Sequence, residues 1–418
     1  MARLRARVLM AWRAQRALLA SPAGRWTAAA LAVVGAGTLV ALVLLWPHPT
    51  IAQPGTSVIS SGVIEPATVV SVAEAQCAAE SKPGCQRVVI RLEAGPRRAA
   101  SSFLYLPGDE ATPRLSPGDA IRVASSTPSI GGVSGELLSP SDPSLAPYAF
   151  VDFRRGDALV WLAVAFAALV LLLGRRVGAL SLVAAGLGLL LVTRFVAPAI
   201  VQGSSPFGVA LVGAFAAMFL AIVPLYGLGA KSLAALVGTA ASLLAIGALA
   251  VIAVHAAHIT GVASEEATLV QGLGGGRVSL QGLVIAGILI GALGVLNDVT
   301  VSQASTVLAL RAASPHQSVA QLYRAAMAVG RDHLGATINT LVFAYAGAAL
   351  PLLLIFTAEG ITFSDAVGRE TVATEIVAAF VGSMGLVGAV PLTTLAAAML
   401  AVRVPPEAIA DAAHGHHH

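Results

Sequence analysis

Residues 206–256 read PFGVALVGAFAAMFLAIVPLYGLGAKSLAALVGTAASLLAIGALAVIAVHA. Two apolar runs, about 206–227 and 231–255, flank a short Gly-rich break, and Lys231 is the one Lys, Arg, Asp or Glu in the whole stretch. A helix crosses a bilayer with about 20 apolar residues, so this reads as a pair of membrane spans joined by a tight turn. Working outward, the same criterion predicts eight spans: about 27–46, 157–173, 178–200, 206–227, 231–255, 280–308, 333–356 and 372–400. The composition agrees. The 418 residues are 57% hydrophobic and 11% charged, with a mean hydropathy of +0.84. A soluble chain carries roughly 25% charged residues, so a large soluble enzyme is excluded. Two cysteines exclude a disulfide-rich scaffold, a Cys-rich zinc domain and an iron–sulfur protein. The net charge is only +4, and the basic residues sit between apolar runs. That pattern sets membrane orientation and gives no nucleic-acid face.

Met1–Arg25 holds six arginines and no acid, which places the N-terminus in the cytoplasm. A cleaved signal peptide is the alternative, but a long basic leader without a clear small-residue cleavage site fits an anchor better. Expected inner turns carry Arg175, Arg176, Lys231, Arg311, Arg324, Arg331 and Arg403. Expected outer segments, 257–278 and 357–371, carry Arg277 and Arg369 against Glu265, Glu266, Glu359, Asp365 and Glu370. Both termini are therefore expected inside, with the chain multi-pass in the cytoplasmic membrane. Residues 404–418, ending in a His-rich run, read as a disordered tail or tag remnant.

Residues 47–156 differ in kind. Short runs rich in β-branched residues, at Val58–Ile64, Arg87–Leu92, Ser102–Leu106, Ala120–Val123 and Tyr148–Phe153, are separated by Gly, Pro and Ser. They predict a small five-stranded, OB-like β-barrel outside the membrane. Cys77 and Cys85 would then lie in an oxidising space; a disulfide is the leading reading and two inert thiols the alternative.

The chemistry concentrates in the sixth span, GALGVLNDVTVSQAST at 291–306. Asp298 is the one carboxylate well inside a span, and seven of the ten residues from Asn297 onward are polar. Placing such a carboxylate in a membrane costs about 2.5–3.5 kcal/mol on insertion scales, so it faces a cavity, a partner or an ion. Asp298, Ser302 and Ser305 share a helical face. In the functional reading Asp298 binds a proton or cation, with Asn297, Thr300 and Ser302 supplying neutral oxygens. In the plain reading the stripe is interhelical hydrogen-bonding glue.

The seventh span adds Asn339 and Thr340 at a comparable depth, with Tyr345 towards the centre and a kink expected at Pro351. His333 reads as a boundary residue. Arg194 and Glu375 fall at similar outer depths and are expected to pair as a closure, with snorkelling by Arg194 as the alternative. Ser314, Pro315 and Gln317 read as a capping box opening an amphipathic cytoplasmic helix over about 314–331. His255 and His258 lack a third ligand, so no metal is assigned. The glycines at 272–276 lack the strand and Lys-Ser/Thr of a phosphate loop. No hydrolase or metal-triad pattern is present, so no enzyme activity and no cofactor are expected.

The segments Leu293–Thr306, Gly335–Gly347 and Glu375–Thr394 together resemble the YibE/F family of bacterial membrane proteins, over most of 150–400. The resemblance implies a multi-pass protein presumed to be a transporter of unsettled substrate. A fainter likeness is to SecD/SecF and the RND permeases, where an Asn-Asp stretch is associated with proton use. The expected function is a transporter or permease, coupled to a proton or ion through Asp298. Its partners would be the lipid bilayer and a small solute or ion, and a homo-oligomer is compatible with the pattern. The alternative is a non-transporting scaffold or sensor that binds an envelope partner through its exterior domain.

Overall fold

The computed structural model describes residues 20–48, 64–75, 85–95, 98–106, 113–125, 148–263, 265–273 and 275–404. The chain divides into two units, residues 50–172 and the remainder on either side of them.

In the smaller unit, five strands form one antiparallel sheet: β1 Ile64–Glu74, β2 Gln86–Leu92, β3 Ser101–Leu106, β4 Ala120–Ser125 and β5 Tyr148–Phe153. Their order is β3-β2-β1-β4-β5. The sheet curls into a half-barrel, bringing the edge strands β3 and β5 towards each other. Alternate side chains fill its inside, including Ala67, Val69, Val88, Ile90, Leu104, Ile121 and Val123, as the two-residue period of a strand requires. Register shifts between Val69 and Ser71, and between Arg122 and Val123, mark bulges; bulges increase twist and bend a sheet. Four strands fall where the sequence puts them. The first does not: β1 begins where the expected run ends, and residues 58–63 lie outside those described. Cys85 is buried and disulfide-bonded. Cys77 lies outside the described residues, as do the basic leader up to residue 19 and the tail from 405.

The helices are α1 Pro22–Leu44, α2 Gly156–Leu191, a π-turn at Val192–Val196, α3 Ala197–Val201, α4 Pro206–Tyr226, α5 Ala230–Ala256, α6 Glu265–Leu273, α7 Leu280–Ala313, α8 Val319–Ala348, α9 Leu350–Ala358, α10 Phe363–Gly368 and α11 Glu370–Ala401. Among the described residues, six helical stretches are long and apolar enough to cross a membrane, and α8 with α9 counts as a seventh if taken as one bent span. The difference from eight lies at Gly156–Val201, which runs as one stretch of 46 residues. At 1.5 Å per residue that is about 69 Å, more than twice the roughly 30 Å hydrocarbon core. Its backbone breaks at Arg175, which takes φ 48° and ψ −125°, within the Arg175–Arg176 turn expected from the sequence.

Two local features follow from proline. Pro198 has no N–H to give the carbonyl four residues back, and a π-turn absorbs the misfit at Val192–Val196. That turn buries Phe195, which stacks on Trp46 with centroids 5.7 Å apart. Between α8 and α9 the chain bends by 57° at the Ala349–Pro351 break. No separate amphipathic helix precedes the seventh span: α8 runs unbroken from Val319 to Ala348. Its capping box is Ser318 with Gln321, and the expected Ser314 is instead the C-cap of α7. Leu322, Ala326 and Gly330 form the buried face of α8.

The bundle is tightest where α5, α7 and α11 meet. Small residues allow it. A Cβ on Gly238 would lie 1.8 Å from Thr393 Oγ1, and one on Gly385 would lie 2.1 Å from Ile246 Cγ1. Such close approach is how membrane helices gain packing energy without a hydrophobic driving force between them.

Candidate functional site

The polar residues of α7 divide between two faces. One face is buried and structural. Thr300 is fully buried, and its hydroxyl donates to Leu296 O at 2.8 Å. Thr239 of α5 lies 2.7 Å from the same oxygen, so its hydroxyl is the donor in that pair. Gln303 Nε2 donates to Ala326 O of α8 at 2.9 Å and to Thr394 Oγ1 of α11 at 2.8 Å. Thr394 in turn donates to Val390 O. Each of these chains ends on a backbone carbonyl, which is the glue reading of the stripe. The hydroxyl of Thr300, expected in the ion pathway, is thus engaged inside the bundle. Thr239, Gln303 and Thr394 were not singled out from the sequence. Isolated hydroxyls and amides within long apolar runs are the available signal, and it does not name their partners.

The other face is open. Gly287, Gly291, Gly294, Asp298 and Ser302 are all exposed and recur at helical spacing. Thr239 sits about 13 Å along α5 from Ala230. Its pairing with Thr300 puts Asp298 beyond that depth, well inside the helical zone. Asp298 makes no ion pair or hydrogen bond with the described residues, although its charge reaches the Tyr226 hydroxyl on α4. Lys231 Nζ stands 3.8 Å from the Tyr226 ring centroid. Asn297 is half-buried, with its Oδ1 enclosed and unbonded.

The seventh-span residues separate. Leu334, Ile338, Leu341 and Tyr345 pack against the core, whereas Asn339 and Thr340 are exposed. Thr340 donates to its own helix at Ala336 O. His333 is half-buried, with Nε2 enclosed and unbonded. Tyr345 reaches α7 at the open face: its hydroxyl lies 3.6 Å from where a Gly291 Cβ would stand.

The Arg194–Glu375 closure does not form. Arg194 is exposed on the π-turn, and no ion pair joins it to Glu375 among the described residues. The charge of Glu375 acts instead on the Tyr345 hydroxyl. The N-terminal end of α11 is fastened by its neighbour Glu370, which accepts from Thr260 N at 2.9 Å, from Thr260 Oγ1 at 2.8 Å and from Gly261 N. Arg369 lies 4.9 Å from the Phe356 ring centroid on α9. His255 Nδ1 is spent on Val251 O at 2.8 Å. No group of three metal-ligating side chains occurs among the described residues.

Residues 162–403 match the family described as YibE/F-like protein. The chain belongs to the YibE/F family. The match spans more than half its length and takes in α4 to α11 and most of α2. Family membership and the apolar helices together make this a membrane protein with several transmembrane helices. No curated protein and no solved structure matches it.

Proposed function

We propose that this YibE/F protein is a transporter of the bacterial cytoplasmic membrane, coupled to a proton or other cation through Asp298. The supporting observation is the exposed, unpaired Asp298 carboxylate at membrane depth, on a helix whose buried Thr300 and Gln303 are hydrogen-bonded within the bundle. A carboxylate without a structural partner in that position is costly, and such groups mark ion pathways. In this reading the chain crosses the membrane eight times with both ends cytoplasmic, and Arg175 turns a hairpin between the second and third crossings. The half-barrel is OB-like: its strand order, with β3 approaching β5, is compatible with a five-stranded barrel. We read Cys77, the other cysteine of the sequence, as the partner of Cys85. Asn297 and Ser302 flank the carboxylate, and the exposed Asn339 and Thr340 face the transported solute.

The test is ion and metabolite profiling of cells carrying the wild-type chain, the Asp298→Asn chain or no chain. The proposal expects Asp298→Asn to match the deletion. If it matches the wild type, and pull-downs instead depend on residues 50–150, the chain is a scaffold or sensor.

A further inference from the structure

Four polar side chains have no hydrogen-bonding or ionic partner among the described residues: Asp298 and Ser302, exposed on α7, and the half-buried Tyr345 hydroxyl and Glu375 of the neighbouring α8 and α11. They fall into line. Gly330 of α8 lies against Val390 of α11. Moving fifteen residues outward along both antiparallel helices arrives at Tyr345 and Glu375. The Tyr345 hydroxyl then meets α7 at Gly291, and two helical turns further in stands Asp298, about 10 Å away along the helix. Between them Gly294 presents no side chain, and the position of its missing Cβ has no atom within 4 Å. Lipid offers nothing to a carboxylate or a phenol, and each polar group left unsatisfied in hydrocarbon costs several kcal/mol. Such groups beside a glycine-floored face need a polar neighbour, and the open space at Gly294 leaves room for water to be that neighbour.

We propose that this face of α7 floors an aqueous groove running from the Glu375–Tyr345 pair to Asp298, and that the ion it conducts is the proton. Glu375 receives a proton from the outer solution. Water held against Gly291 and Gly294 by the Tyr345 hydroxyl passes it inward, and the Asp298 carboxylate accepts it. No other species is consumed. Tyr345 is a positioning residue, holding water where the helix offers no side chain. Arg369 and Glu370, the nearest charged groups on α11, are engaged elsewhere, with Phe356 and with Thr260 and Gly261 respectively. The inference rests on the reading of Asp298 as the ion-handling group.

Thiol accessibility tests the groove separately from that reading. The described chain has no free cysteine to compete. Gly291→Cys, Gly294→Cys and Ser302→Cys in the full-length protein would be treated in membrane vesicles with a membrane-impermeant, charged thiol reagent. Leu392→Cys and Leu395→Cys, at exposed apolar positions of α11, are the lipid-facing controls. Ser302→Cys is nearly isosteric and keeps the test valid if a glycine variant fails to fold. The proposal expects the three α7 positions to react at least tenfold faster than the controls, and Tyr345→Phe to change the rate at Gly291→Cys. Rates equal to the controls would overturn it. So would spontaneous cross-linking of Gly291→Cys between two copies, which would make this face a subunit interface. Fast labelling with unaltered proton flux in Asp298→Asn would keep the groove and remove the proton. Lost flux without labelling would do the opposite.

Discussion

Replacing Gly238 by alanine isolates the packing that holds α5, α7 and α11 together. The new Cβ would stand 1.8 Å from Thr393 Oγ1, 2.9 Å from its Cβ and 3.2 Å from its Cα. Rotating the threonine removes the first contact but leaves the Cα, so the backbone of α11 has to move. Overpacking of this kind costs about 1–3 kcal/mol. Alanine's better helix propensity returns about 0.5–1 kcal/mol. The net expectation is a loss of about 0.5–2 kcal/mol, read as an apparent melting temperature several degrees lower in detergent or nanodiscs. Thr393→Ala supplies the control. Its Oγ1 is buried and unbonded, so deleting an unsatisfied hydroxyl (about 1–3 kcal/mol) offsets the lost methyl group (about 0.8 kcal/mol). In the Thr393→Ala background, Gly238→Ala should lose the part of its cost that Oγ1 imposes and keep the part set by the Cβ and Cα at 2.9 and 3.2 Å. If Gly238→Ala melts at or above the wild type, or costs the same in both backgrounds, the close approach of α5 and α11 is wrong.

Gln303→Leu removes the amide that ties α7 to α8 and α11. It is expected to lower stability by about 1–3 kcal/mol, seen as a lower melting temperature and faster proteolysis of the α7–α8 connection. In the sheet unit, hydrogen bonds from Thr68 and then Arg154 hold the Glu93 carboxyl below its usual value of 4.5. A depressed acid contributes stability that is present above that value and is lost as pH falls through the lower folded-state value. Circular dichroism of the full chain across that acidic window should show a smaller acid-induced loss for Thr68→Val than for the wild type. Equal losses would contradict the assignment.

The large features were legible because they rest on composition. The apolar runs predicted most helices, and Pro351 predicted the break between α8 and α9. What was missed depends on partners distant in sequence. Two Ser-x-x-Gln patterns stand in tandem, at Ser314–Gln317 and Ser318–Gln321. Only the burial of Leu322 and Ala326 against the bundle selects the second. The polar run after Asn297 was correctly located, but one sequence could not divide it into a face that bonds to Thr239, Ala326 and Thr394 and a face that bonds to nothing. Arg194 and Glu375 fall at similar distances along their apolar runs, but Arg194 sits exposed on the π-turn at Val192–Val196 and makes no ion pair with Glu375 among the described residues.

The central claim is that a cation moves through this protein by way of Asp298. Purified protein in liposomes loaded with potassium and a pH-sensitive dye, given valinomycin, imposes a voltage that drives protons inward. The account predicts acidification above that of empty liposomes with the wild-type chain and none with Asp298→Asn, provided both are folded and equally inserted. Acidification unchanged by Asp298→Asn would contradict it.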